Sequence, residues 1–402
     1  MINRKRIYKM IFGLGLAGIL SISTVSLLHY KSGNNLNSRN PSAINYHRGK
    51  LKELPQSNGD ETRFQMDLRS TNVSSLDLKD SGDFLMHSDF DSKTKWTDVL
   101  PEDFNPQEIM DYGKNPGLNI RKLHEEGITG KGVGIAIIDQ TLLTKHDEYK
   151  DNLKLYEEIN KVPNKAQMHG AAVSSIAVGK NSGVSPDSDL YYIAANIATT
   201  DENQNINYDF TPIAKAINRI LEINDTLQEE NKIRVISMSI GWEKGQTGTE
   251  ELEEAINKAM SENILIVSSE LDKYYSISLK GLGREVLSNP DDIDSYTLSA
   301  RAEEDYYNNQ SNTILLPMDS RCTASPTGSK DYAFYYQGGL SWCSPYLAGL
   351  YVLSCQVNPS ITPEMFLQEV INTGDIIDVE KDNKEYKLGT IPNPERLIEK
   401  II

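Results

Sequence analysis

Val133-Gly134-Ile135-Ala136-Ile137-Ile138-Asp139 is a short, unbroken apolar run that ends in a carboxylate. Such a run reads as a strand buried on both faces, which belongs in a parallel sheet covered by helices. The neighbouring segments repeat the theme: Leu190 to Ala195, Val235 to Ile240 and Ile264 to Ser268 read as further buried strands. Between them, His169-Gly170-Ala171-Ala172-Val173 through Gly179 has small and apolar residues at helical spacing, with a glycine to stop it. Phe210, Ile213, Ala214, Ile217, Ile220 and Leu221 mark one helix face, and Glu250 to Met260 forms another helix. The alternation predicts an α/β fold with a mostly parallel sheet and helices on both faces. Further helices are predicted from Ser341 to about Gln356, from Pro363 to about Asn372, and from Pro394.

The 402 residues are 38% hydrophobic, enough to bury one large core, and carry a net charge of −16. Residues 1–33 hold five basic side chains and no acidic one, so the rest of the chain stands at −21. An acidic body argues against nucleic acid as a partner. Arg4-Lys5-Arg6 and Lys9 precede Met10 to Leu28, nineteen residues without a charge. That pattern predicts a signal peptide or signal anchor over residues 1–31. The basic flank stays cytoplasmic and everything after Lys31 lies outside, anchored by residues 10–28 or secreted once they are cleaved. Residues 32–115 are rich in Ser, Asn, Asp and Lys without a sustained period, which predicts a polar linker or a propeptide-like segment. The regular pattern occupies 116–402. Cys343 and Cys355 fall twelve residues apart on one predicted helix, about 18 Å, too far to pair. With Cys322 they read as buried thiols.

In open α/β sheets, reactive groups gather at the carboxyl ends of strands. Asp139 ends a strand, His169 opens a helix, and Ser341 follows Gly338-Gly339-Leu340 at the position of a helix N-cap. There a serine lies beside backbone N–H groups that have no partner within the helix, a setting suited to a nucleophile whose attack creates an oxyanion. Carboxylate, base and nucleophile are the three roles of acyl transfer, and Asp, His, Ser is one of the known triad orders. His146 lies in the polar context Thr144-Lys145-His146-Asp147-Glu148, reads as a loop residue, and is given no catalytic role.

Five blocks in order carry a resemblance. They are Gly127-Ile128-Thr129-Gly130-Lys131-Gly132-Val133 through Asp139, His169-Gly170-Ala171-Ala172-Val173, Gly183-Val184-Ser185-Pro186, Val235-Ile236-Ser237-Met238-Ser239-Ile240-Gly241, and Gly339-Leu340-Ser341-Trp342-Cys343-Ser344-Pro345. From about Asn115 to Gly374 the chain resembles the subtilisin-like serine peptidases, the subtilases. The resemblance implies that Ser341 attacks the scissile carbonyl, that His169 takes and returns the proton, and that Asp139 orients the imidazole. It also implies that Ser239, Ile240 and Gly241 pair as an edge strand with a polypeptide substrate.

The chain departs from that pattern at three places. The family usually has an oxyanion asparagine after the strand that resembles Ile264 to Ser268; here Ser268-Ser269-Glu270-Leu271-Asp272 follows, so Ser269 and Asp272 are the candidates. Trp342 and Trp242 are bulkier than the residues usual there and predict a narrowed or reshaped pocket. The implied activity is that of a serine endopeptidase. The alternative is a catalytically impaired pseudopeptidase that binds peptides or regulates another protease. No cofactor and no metal ligands are assigned, and the structural calcium common in subtilases is not placed.

Overall fold

The computed structural model describes residues 40–55, 66–160, 162–200, 206–299, 312–381 and 384–402. Met10 to Leu28, the expected signal peptide or anchor, lies outside them. Among the described residues, no helix is long and apolar enough to cross a membrane.

Five parallel strands form the centre: β1 (Gly134–Asp139), β2 (Leu153–Ile159), β3 (Asp189–Ala195), β4 (Ile233–Ser237) and β5 (Leu265–Val267), in the spatial order β2-β3-β1-β4-β5. Their side chains alternate between two cores. Ile135, Ile137, Leu190, Tyr192, Val235, Leu265 and Val267 face one core; Ala136, Ile138, Tyr191, Ile193, Ile236 and Ile266 face the other. Helices α1 (Met168–Val178) and α4 (Cys343–Val357) fill the first core, and α2 (Thr211–Thr226) and α3 (Thr249–Ser261) fill the second. Both faces are therefore dry, so continuous apolar runs are stable here where an alternating strand would bury polar groups. The α/β architecture with helices on both faces is as expected from the sequence.

A second, mixed sheet continues the body, with strands ordered Tyr296–Leu298, Ser278–Arg284, Thr313–Pro317, Lys384–Ile391 and Asp375–Lys381. Its inner pairs are parallel and its two edge pairs antiparallel.

The segment from 66 onward corrects the expectation of a linker. Met66–Asp67 pairs with Ser88–Asp91, which pairs with Tyr332–Tyr335, which pairs with Arg321–Ala324, giving a four-stranded sheet. Beneath it, Phe90, Trp96, Phe104 and Phe334 form an aromatic cluster with ring centroids 5.1 to 6.0 Å apart. Helix Pro106–Lys114, capped by the Asn105 side chain, packs so closely that a Cβ on Gly113 would stand 2.9 Å from the Cys322 amide. No boundary in the contacts falls at 115. This segment has no period of its own: its strands are two to four residues long, and Ser88–Asp91 pairs with chain some 240 residues away. Residues 40–51 are laid on the same body, with Ser42 bridging Lys165 and Lys50 bridging Asn72.

Candidate active site

Asp139 is the last residue of β1 and is 8% exposed. One carboxylate oxygen accepts the Gln140 amide at 2.7 Å. His169 is the second residue of α1, and its Nδ1 meets both Asp139 oxygens, at 2.8 and 2.9 Å. A carboxylate can only accept, so Nδ1 carries the hydrogen and Nε2 is left with a free lone pair. The following glycine makes this approach feasible: a Cβ on Gly170 would fall 2.3 Å from the Tyr192 hydroxyl and 2.7 Å from the Gln140 carbonyl. Burial lowers the His169 pKa, but the Asp139 charge and its hydrogen bond outweigh burial, and the net shift is upward. The imidazole is 13% exposed, so one edge remains reachable.

Ser341 lies in a 3-10 turn, Leu340–Trp342, that runs into α4 at Cys343. It is therefore not the N-cap of the α-helix expected from the sequence. The glycine pair delivers a tighter turn first, and Trp342 takes the cap position without a side-chain cap bond. Pro345 falls in the first turn of α4, where its missing N–H is not needed. The turn is fixed from two sides. Ser239 Oγ donates to the Ser341 carbonyl at 2.9 Å, and the Asp319 carboxylate accepts the Gly338 amide at 2.8 Å. Trp342 lays its ring against His169, with centroids 5.7 Å apart and planes at 37°. Among the described residues, both hydrogen bonds of the His169 ring go to Asp139, while the Ser341 carbonyl is held separately by Ser239.

The stretch after β4 has the alternation an edge strand needs. Met238 donates to the Val267 carbonyl at 2.8 Å, and Ser269 donates to the Ile240 carbonyl at 3.1 Å. The backbone groups of Ser239 and Gly241 have no backbone partner among the described residues, so this edge can accept another strand.

Of the two oxyanion candidates, Ser269 is half-buried with its amide held by Ile240, and Asp272 is exposed on the short helix Leu271–Tyr275. Glu270 lies between them. It is half-buried, and burial followed by the nearby Asp272 charge pushes its carboxyl above the ordinary range, against a backbone N–H from Trp242. An acid placed directly after a buried strand was the available signal.

The Trp242 ring is largely covered by its neighbours. It is buried against Phe210 and Tyr274, with its indole N–H on Glu253 at 2.8 Å and the Lys273 ammonium 5.5 Å from the ring. His146 is wholly buried rather than in an open loop. Its Nδ1 accepts the Glu148 amide and its Nε2 donates to the Asp331 carbonyl, and burial lowers its pKa, so it is a structural group. All three cysteines are free and buried.

Among the described residues, no group of three or more His, Cys, Asp or Glu side chains is arranged to hold a metal ion.

The class of protein defined here is α/β with a carboxylate-oriented imidazole at the carboxyl edge of a parallel sheet, packed against a serine-bearing turn. Residues 130–389 match the subtilase family, and the chain belongs to that family, whose activity is that of serine peptidases. It is 24% identical over 131 residues to the subtilisin-like protease PopC of Myxococcus xanthus, a match spanning 30% of this chain and 26% of PopC. Among solved structures, it is similar to the prenylagaramide maturation protease PagA, with a TM-score of 0.48 and 18% identity over 70% of this chain and 98% of that one.

Proposed function

We propose that the chain is a serine endopeptidase, exported or membrane-anchored through residues 10–28, that hydrolyses peptide bonds through an acyl-enzyme on Ser341. The observation that carries this reading is the two-oxygen contact between Asp139 and His169 Nδ1, which leaves Nε2 as a base beside the Ser341 turn. Nε2 takes the Ser341 proton as Oγ attacks the carbonyl carbon, then returns it to the leaving amine. Water repeats the cycle to release the acyl group. The substrate lies along Ser239-Ile240-Gly241 and pairs through its backbone, which gives broad tolerance of side chains. The oxyanion role falls to the Ser341 amide, which has no backbone acceptor among the described residues, and to the Ser269 hydroxyl. Asp272 is exposed and, when ionised, only accepts.

A second reading, a peptide-binding pseudopeptidase, is favoured by the two acids, Glu270 and Asp272, where a neutral donor is expected. Labelling of the full chain with a fluorophosphonate probe decides between them. Active enzyme gives an adduct mapped to Ser341 that vanishes in Ser341→Ala and His169→Ala. Folded protein without an adduct overturns the peptidase reading.

A further inference from the structure

A run of contacts joins the N-terminal segment to the catalytic pair. Arg69 Nε and Nη2 donate to the two oxygens of Asp67, at 2.8 and 2.7 Å, which fixes the plane of the guanidinium. Its Nη1 donates to the Tyr335 hydroxyl at 3.0 Å, and its Cζ lies 4.9 Å from that ring's centroid. Tyr335 is 5% exposed and meets Trp342 edge to face at 5.6 Å and 65°. Trp342 is 4% exposed and rests on the His169 imidazole.

The indole N–H of Trp342 is buried and has no hydrogen-bond partner among the described residues. Its ring orientation therefore depends on packing alone, between Tyr335 on one side and His169 on another. Trp342 is also the residue after Ser341, so freedom in its ring reaches the nucleophile turn and the base together.

We infer that Arg69 is a positioning residue for the active site, acting through Tyr335 and Trp342 to hold the His169 imidazole and the Ser341 turn in register. The segment from 66 to 91 is on this account a permanent part of the catalytic machinery, not a removable inhibitor. The inference rests on the peptidase reading for its effect on rate, but the effect on His169 itself can be measured without turnover.

The test uses the full chain and Arg69→Met, with Arg69→Lys to restore the cation without the planar fork. The first readout is labelling of Ser341 by a fluorophosphonate: the saturating rate falls roughly 10²-fold, as for a small misplacement of reacting groups, while the half-saturating concentration is unchanged. Arg69→Lys recovers part of the rate. The second readout is the downfield proton resonance of His169 Nδ1–H in the Asp139 bond, which broadens in Arg69→Met and sharpens again in Arg69→Lys. If Arg69→Met does not fold, Tyr335→Phe removes only the hydroxyl that Arg69 holds and gives a smaller change of the same sign. Folded variants with wild-type rate and an unchanged resonance overturn the inference. A wild-type chain that takes no adduct, with the resonance still broadened in Arg69→Met, overturns the peptidase reading and leaves the positioning role standing.

Discussion

The central sheet and the small sheet around Phe90 are equally well buried but are built in opposite ways. In the first, four of the five strands are apolar runs, and Leu153–Ile159 at the edge carries Lys154, Glu157 and Glu158. In the second, Ser88–Asp91 lies between Met66–Asp67 and the distant Tyr332–Tyr335, and four aromatic rings stand at the centre of the core. The first sheet presents Asp139 and His169. The second supports the same site from behind, through Tyr335 and Trp342. A segment can therefore be indispensable to a site while showing no local sign of structure.

The largest expected effect is at the proposed nucleophile. Ser341→Ala is expected to lower turnover on the order of 10⁶-fold, as loss of a triad serine does in a related enzyme, with the unfolding transition unmoved. Steady-state cleavage of a peptide library, read beside a denaturation curve, checks both. Asp139→Asn leaves the geometry but fixes the wrong tautomer, and kcat should fall about 10⁴-fold with KM little changed.

In the small sheet the expected loss is in stability. Phe90 is wholly buried, and Phe90→Ala should cost about 3–5 kcal/mol in a urea titration. The transition should remain single; a separate early melting of residues 66–114 would break the comparison, because that segment would then be an independent unit.

Acidity tests the site again. Asp139 raises the pKa of His169 above its ordinary 6.5, and the base must be neutral to act. Activity should therefore rise with pH through an inflection above 6.5, tenfold per unit on the acid side. In Asp139→Asn the inflection should move down, since burial then acts without the opposing charge. The smallest expected effect is at the helix cap beside the small sheet. Asn105 Oδ1 accepts the Gln107 and Glu108 amides, and Asn105→Ala should cost about 1 kcal/mol by the same titration.

Much of this protein is legible in its residue order. The apolar run ending at Asp139, the His169-Gly170 pair and the turn to Ser341 mark the fold and the site because each is a local device: a buried strand, a close helix approach, a turn into a helix. Other features were decided only by tertiary structure. Trp242 reads as an intruder in a pocket until Phe210, Tyr274 and Glu253 are seen around it, and His146 reads as a loop residue until its two ring nitrogens are found fully engaged. The sequence marks Glu270 as an acid just past a buried strand, and its burial beside Asp272 raises its pKa.

The segment from 66 to 114 is the largest of these cases. Its strands are too short to show a period, and its stability comes from rings and backbone partners far away in sequence. Local sequence therefore determined the sheet, because period and turn chemistry act over a few residues. Tertiary structure alone decided how the nucleophile turn is braced, because that depends on which distant side chains meet.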